Sequence, residues 1–408
     1  MRRFAGPLLN CLVVVAVLSL WPGKPASAAD ALETHLTVTG RSTIFELTMS
    51  EGVTAQVFTL AHPYRVVVDL PNLTFRLDPA AGRKGAGLVS AFRYGLFAAD
   101  KSRVVIDTTG PVKIRSAAMT RLKGSSAVKL AIAMMPVDVV SFGAGTGAGT
   151  NAAAFEPGVD PALSKNADSK HKPGSKPVVV IDPGHGGIDP GAIGNNSVTE
   201  KTIVLAVAQQ LKAALEKTGS YEVKMTRSED VFVSLDNRLK FSRDNSAELF
   251  ISLHADSIET AADSIRGATI YTLSSKASDR QARIMAEKEN ASDLLAGIEN
   301  LNQDSDDQVK NILIDLMKRE TSNFSADFSE VLAKHLGKTI EMSRLPRRSA
   351  AFKVLKQTGA PSVLVELGYI SNKSDEEQML TPEWQSKVAS SVAAAVQIYF
   401  NKRTASRP

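Results

Sequence analysis

Residues 178–187 read VVVIDPGHGG. Four β-branched apolar residues run without a polar break into an aspartate, a proline and a histidine set among glycines. An unbroken apolar run of this length, closed by turn formers, marks a strand buried on both faces of a parallel sheet. Ligands of open α/β sheets bind beyond the carboxyl ends of such strands. His185 therefore stands where a ligand would be met.

The flanking sequence repeats the pattern. TEKTIVLAVAQQLKAALEKTG (199–219) has apolar residues at helical spacing, a cap at Thr199 or Ser197, and Gly219 to end it. YEVKMTR (221–227), ELFISLHAD (248–256), GATIYTL (267–273) and SVLVELGYIS (362–371) read as strands. SLDNRLKFSRDN (234–245) and WQSKVASSVAAAVQIYF (384–400) read as helices. Strands alternating with helices predict an α/β domain over 178–402, with a mostly parallel sheet and helices on both faces.

Upstream, HLTVTG, TIFELTM, RVVVDLP, RVVIDTT and AVKLAIAMM, all within 32–140, are short β-rich runs punctuated by Gly, Pro, Asn and Asp. They predict a small all-β sandwich that binds and does not catalyse. Its histidines, His35 and His62, have no acidic cluster beside them in sequence. This region has thirteen Lys/Arg against eight Asp/Glu, a balance that suits an anionic envelope polymer or a merely solvated surface. Between the two domains, residues 141–177 are Gly, Ala, Ser, Pro and Lys; they cannot bury enough apolar surface to order and predict a flexible linker, with His171 solvated.

The chain opens with MRRFAG, an apolar PLLNCLVVVAVLSLW and an Ala26-Ser27-Ala28 triplet, which predicts a cleaved export signal over 1–28. Arg2-Arg3 leaves open the twin-arginine route. The one cysteine, Cys11, lies inside this segment, so the mature chain has no disulfide, thiol nucleophile or cysteine metal ligand. Export without disulfides suits a bacterial cell envelope. The mature chain is expected to have no stable membrane span and no nucleic-acid partner.

Four polar residues are expected at one edge of the sheet: His185 after the first strand, His254 at the end of LFISLH, Glu366 in SVLVELG, and Glu200 at the start of the first helix. Two neutral imidazoles and a carboxylate make an open zinc site, with a second carboxylate as the base for an attacking water. Each residue also has a plainer reading, a satisfied histidine or an acid at a helix N-terminus. Glu366, flanked by VLV and LG, resists that reading, because a carboxylate in an apolar strand is costly unless paired or bound. The glycines would permit tight turns and close approach of substrate. Asp182 would hold a loop amide or orient a ligand.

IDPGHGGIDPGAIG (181–194), Glu200, SLHAD (252–256) and PSVLVELGYISN (361–372) together resemble the zinc-dependent N-acetylmuramoyl-L-alanine amidases of the amidase type 3 family, over the whole of 177–400. The resemblance implies that His185, Glu200 and His254 bind zinc and that Glu366 is the catalytic acid/base. It implies cleavage of the amide between N-acetylmuramic acid and L-alanine of the peptidoglycan stem. Asp256 departs from the Asn or other residue that many members carry, which reads as a minor variation. RVVVDLPNLTF, AFRYGLF and SRVVIDT resemble the AMIN domain that precedes such amidases, implying peptidoglycan binding at the division septum and a periplasmic location.

A charged insertion spans about 276–320. SDRQARIMAEKEN (278–290) reads as a helix capped by Ser278 or Asp279, and residues 306–337 read as one long amphipathic helix or two. It is either a solvated decoration or, by resemblance to cell-division members, a cover that supplies a glutamate to the zinc. AEKENASD (286–293) makes Glu289 the candidate and Glu287 the runner-up. The resemblance also implies a LytM-type activator that moves the cover. Arg347, Arg348 and Lys353, just before the Glu366 strand, are candidate contacts for stem-peptide carboxylates. Two other functions fit the bare residues: a zinc carboxypeptidase acting on stem peptides, and a non-catalytic peptidoglycan-binding protein.

Overall fold

The computed structural model describes residues 29–139, 142, 175–298 and 311–405, except 62, 79, 99, 196, 259–264 and 358 and the side chains of 311–320, 404 and 405. The expected export signal, nearly all of the linker, His62 and His171 lie outside the described residues.

The first domain is a β-sandwich. Strands β1 (Ala29–Thr39), β2 (Ser42–Met49), β5 (Leu73–Phe75), β8 (Val112–Arg121) and β9 (Val128–Pro136) form one sheet in the order β5-β1-β2-β9-β8. Strands β3 (Gln56–Leu60), β4 (Arg65–Pro71), β6 (Val89–Ala98) and β7 (Lys101–Thr108) form the other, ordered β3-β4-β7-β6. Phe45, Leu47, Val66, Val68, Val104, Ile106 and Ile132 fill the space between them. In β2 burial alternates residue by residue, as expected of a strand with one wet face. In β4 every residue from Arg65 to Leu70 is buried, because the second face of that sheet is covered as well.

The second domain has a six-stranded sheet in the order β11-β10-β12-β15-β13-β14. Strands β10 (Val178–Pro183), β11 (Glu222–Met225), β12 (Leu249–His254) and β15 (Ser362–Glu366) are parallel neighbours. Strand β13 (Ala268–Leu273) runs antiparallel to β15, and β14 (Met342–Ala350) is parallel to β13. The sheet is thus mostly parallel with a reversed edge. β14 escapes the sequence reading, which saw only a basic stretch before the Glu366 strand. As an edge strand it needs little apolar surface and tolerates Pro346 and its arginines.

Helices α1 (Glu200–Lys217), α5 (Asn311–Leu336) and α7 (Pro382–Ala405) cover one face of this sheet. Each fully buried Val, Leu or Ile in this layer contributes roughly 1.5–3 kcal/mol relative to exposure. α2 (Leu235–Asp244) and α3 (Arg280–Asn290) lie over the other face, against Val180, Phe250, Tyr271, Phe352 and Leu364. α3 begins at Asp279, whose carboxylate accepts from the Ala282 amide. Its Ala282, Met285 and Ala286 are buried, so it belongs to the core layer. A short turn, α4 (Ser292–Leu295), follows it. A small helix, α6 (Lys373–Met379), connects β15 to α7. The residues described from 306–337 form one helix, α5.

Candidate active site

Parallel pairing sets the ends of three strands side by side. Pro183 lies opposite Leu253 in the β10–β12 register, and His254 opposite Glu366 in the β12–β15 register. The turn after β10 then brings His185 back over the edge with φ +56°, a left-handed backbone that few side chains adopt. Two glycines make room for the group. A Cβ on Gly184 would stand 2.4 Å from His254 Cε1, and one on Gly191 would stand 2.7 Å from both Glu200 Oε2 and His185 Cδ2. These glycines clear space for the polar side chains themselves, where the sequence suggested space for substrate.

His185 Nε2 and His254 Nδ1 each lie 3.2 Å from Glu200 Oε1. Both nitrogens are buried and make no hydrogen bond. Glu200 is anchored by two amides: Ala192 N donates to Oε2 at 2.8 Å and Ala255 N to Oε1 at 2.8 Å. Its place in the first turn of α1 comes from the sequence, but the amides that aim it come from two different loops. Glu289 Oε2 lies 3.5 Å from His185 Nε2 and 3.2 Å from His254 Nδ1. Separations of 3.2–3.5 Å suit ligand atoms that each lie about 2.0–2.1 Å from a shared ion, the bond length of nitrogen and oxygen ligands to zinc. His185, Glu200 and His254 can thus hold a metal ion, and Glu289 Oε2 lies beside both imidazoles. Unpartnered nitrogens facing carboxylate oxygens in a buried space are the donor set such an ion satisfies.

Neighbouring groups hold these residues in place. Asp189 Oδ2 lies 2.9 Å from His185 Nδ1 and fixes the tautomer that leaves Nε2 free. Sequence reasoning gave Asp182 a part in this and overlooked Asp189, although IDPGAIG contains it. Asp182 instead accepts from Arg238 Nη1 (2.6 Å), Thr226 Oγ1 (2.6 Å) and Ser252 Oγ (2.7 Å), tying β10 to α2. Arg238 also donates to the carbonyls of Pro183 and His185, bracing the turn. Asp256, read from the sequence as a minor variation, has a contact through its backbone and another through its side chain. Its amide donates to Glu366 Oε2 at 3.0 Å, and its carboxylate accepts from Lys288 of α3.

The electrostatics follow from burial and crowding. Burial pushes the Glu366 carboxyl up, and Asp256, Glu200 and Glu289 push it further, to well above the usual range. Its Oε1 has no partner. Burial also raises Glu289, and the imidazoles of His254 and His185 only partly offset it. Burial would raise Glu200 as well, but His185 and His254 outweigh it and hold it well below the usual range. For His185, burial favours the neutral ring, yet Asp189, Glu200 and Glu289 together raise it well above its ordinary value. Several carboxylates in one dry space, with two imidazoles, form an arrangement that a divalent cation would neutralise.

Residues 179–398, more than half of the chain, match the family profile described as N-acetylmuramoyl-L-alanine amidase, and residues 36–132 match the AMIN domain. The chain belongs to the N-acetylmuramoyl-L-alanine amidase family. The amidase is 32% identical to AmiC of Escherichia coli over 84% of this chain and 83% of that protein. It is 29% identical to AmiC of Neisseria meningitidis over 98% of this chain and 96% of that protein. The solved structure of amidase AmiC2 of Nostoc punctiforme is similar over 56% of this chain and 98% of its own, at 26% identity and a TM-score of 0.42. The protein is a peptidoglycan amidase of the AmiC type with an AMIN domain. Family membership sets aside the carboxypeptidase and the non-catalytic binding protein. Among the described residues no helix is long and apolar enough to cross a membrane.

Of the remaining candidates from the sequence, Arg348 and Lys353 pair with acids of the charged insertion, and Arg347 bonds to α5. Arg348 Nη1 donates to Asp279 Oδ1 at 2.7 Å, at the start of α3. Lys353 Nζ lies 3.5 Å from Asp293 and 3.1 Å from Asp236. Arg347 Nε donates to Ser329 Oγ at 3.2 Å. Glu287 points away from the site, pairing with Arg283 at 2.8 Å.

Proposed function

We propose that this amidase is a zinc enzyme shut at rest by α3, acting in the cell envelope on septal peptidoglycan during daughter-cell separation. The observation that carries the closed state is the position of Glu289. Its carboxylate stands beside both imidazoles of the donor set and is 5% exposed. Glu200 and Glu366 are 0% exposed, so a glycan strand has no path to the reacting groups while α3 stays seated.

His185, His254 and Glu200 are the proposed zinc ligands. Zinc held there would polarise the scissile carbonyl and acidify the attacking water. Glu366 Oε1 takes the proton from that water and returns it to the leaving L-alanine nitrogen. Its raised affinity for a proton suits both halves of that task. Asp256 N holds Oε2, which keeps Oε1 turned to the reacting atoms. Arg348 and Lys353, which bind acids of the cover in the closed state, become free for stem-peptide carboxylates once it leaves.

The reading includes an activator of LytM type that displaces α3, and export by a leader over 1–28 to the periplasm. A partner that binds the displaced form better shifts the population towards it. The AMIN domain supports attachment to peptidoglycan, and its outer sheet leaves Lys113, Arg115 and Arg121 of β8 exposed to an anionic polymer.

The test is product analysis with metal content. Metal-loaded protein is incubated with purified peptidoglycan, with and without residues 277–316. Glycan strands stripped of peptides, and free stems beginning in L-alanine, are expected, with about one equivalent of zinc and higher activity after the deletion. Unchanged hydrolysis after the deletion would refute the closed state. Absence of hydrolysis in both forms after zinc is supplied would refute the zinc mechanism.

A further inference from the structure

The AMIN domain is in direct contact with the cover. Beyond Glu289 the chain runs through α4, whose last turn and the two residues after it turn their carbonyls towards the AMIN domain. Arginines of the inner AMIN sheet take these up in succession. Arg65 Nη1 donates to Leu294 O, Arg93 Nε to Leu295 O at 2.7 Å, and Arg103 Nη1 to Ala296 O and Gly297 O at 3.1 Å each.

Two of these side chains are set in advance by their own domain. Arg103 makes a two-pronged pair with Asp69 (2.6 and 3.0 Å), and its guanidinium lies 3.6 Å from the centre of the Phe97 ring. Arg93 Nη2 donates to both carboxylate oxygens of Asp107, at 2.5 and 2.6 Å. Each guanidinium is fixed by a neighbouring acid, with its remaining N–H groups aimed at the cover.

An apolar contact surrounds the clamp. Leu60, Val67, Phe97 and Val105 of the AMIN domain pack with Ile188, Phe232 and Ala296. Phe97 and Phe232 stack at 5.9 Å. Leu96 O accepts from Ile188 N at 3.1 Å, three residues past His185. This contact is why β4 and β7 are buried on both faces, where a free sandwich would leave one face wet.

We infer that the AMIN domain is a latch on the cover: Arg65, Arg93 and Arg103 hold the end of α4, so that Glu289 stays at the donor set only while the two domains are docked. The latch rests on the reading of Glu289 as the block. A wall strand or partner that draws the AMIN domain away would loosen the cover without touching the active site. Positioning on the wall and release of activity would then be one event.

The test uses the full mature, metal-loaded chain without activator. Arg93→Gln, Arg103→Gln and Phe232→Ala are compared with the parent and with Glu289→Gln. Phe232→Ala opens the contact from the catalytic side and leaves the AMIN sequence untouched, so it serves if the arginine variants misfold. Hydrogen exchange is read over 286–298, and dye release is measured from labelled peptidoglycan. The latch predicts exchange over 286–298 faster by about tenfold or more, unchanged exchange in α1 and α7, and raised resting hydrolysis. Unchanged exchange over 286–298 in folded variants overturns the latch whatever Glu289 does. Faster exchange with parent-level hydrolysis also overturns it as a regulator. If Glu289→Gln is equally inert, the block itself has failed; if Glu289→Gln is active, only the latch has failed.

Discussion

Glu289→Gln separates the charge of the block from its bulk. The substitution keeps the shape of the side chain and leaves the other anchors of α3 in place: Lys288 on Asp256, Asp279 on Arg348, and Asn290 Oδ1 accepting from Lys353 N at 2.6 Å. What it removes is a carboxylate 3.2–3.5 Å from two imidazole nitrogens. A polar contact to a charged group is worth about 1.5–3 kcal/mol, where a neutral one is worth about 1. Exchanging the charged contact for a neutral one costs the difference, about 0.5–2 kcal/mol, and would raise the open population, and with it resting hydrolysis, by about 2- to 30-fold. Because α3 still covers the cleft, the increase should fall short of that reached by removing the cover. The point variant is nevertheless the cleaner test, since deletion would expose Tyr271, Phe352 and Leu355, which are buried beside the helix. The assay is solubilisation of dye-labelled peptidoglycan by activator-free enzyme, with metal content measured on the same sample. Parent-level activity at full metal content would refute the argument that a carboxylate holds the enzyme closed.

Glu366→Gln should fold, keep its metal and lose hydrolysis by about 10²- to 10⁴-fold, because proton transfer is removed and the bond from Asp256 N can persist; turnover at the parent rate would move that role to another group. Asp189→Asn should weaken metal binding by about 10- to 100-fold, measured by competition with a chromogenic chelator, since the acid that fixes the His185 tautomer is gone. Asp189 also gives a pH signature in metal-free protein. Burial raises its carboxyl, but His185 and the amide of Gly191 prevail and hold it at about 2, against an ordinary 3.8. A lowered carboxyl stabilises the fold above its unfolded value, so roughly 2 kcal/mol should be lost as the pH falls from about 4 to about 2. Asp189→Asn should flatten that part of an acid-unfolding curve; an unchanged slope would assign it to another group.

The candidate residues that the structure brings together were legible because each sits in a local pattern. His185 follows an apolar strand and stands among glycines, His254 ends LFISLH, Glu366 interrupts an apolar run, and Glu200 opens an amphipathic helix. Asp189 was missed and the contacts of Asp256 were not foreseen, because an acid in a loop reads the same whether it faces solvent or an imidazole. β14 was missed because an edge strand with one neighbour need not be apolar. The export signal and the linker rest on composition alone.

By itself the sequence determined the two domain types, the alternation that makes a mostly parallel sheet, and the residues able to hold a metal. These depend on short-range periodicity and on where polar groups break it. Only the tertiary structure decided that Glu289, more than one hundred residues from His185, reaches the same point as the two imidazoles. It alone decided that arginines of the first domain close on the carbonyls of α4. Such contacts depend on how sheets and helices stack, which no local spacing encodes. The unbroken apolar runs RVVVDL and RVVID did carry a trace of it, since a strand buried on both faces must have a second partner.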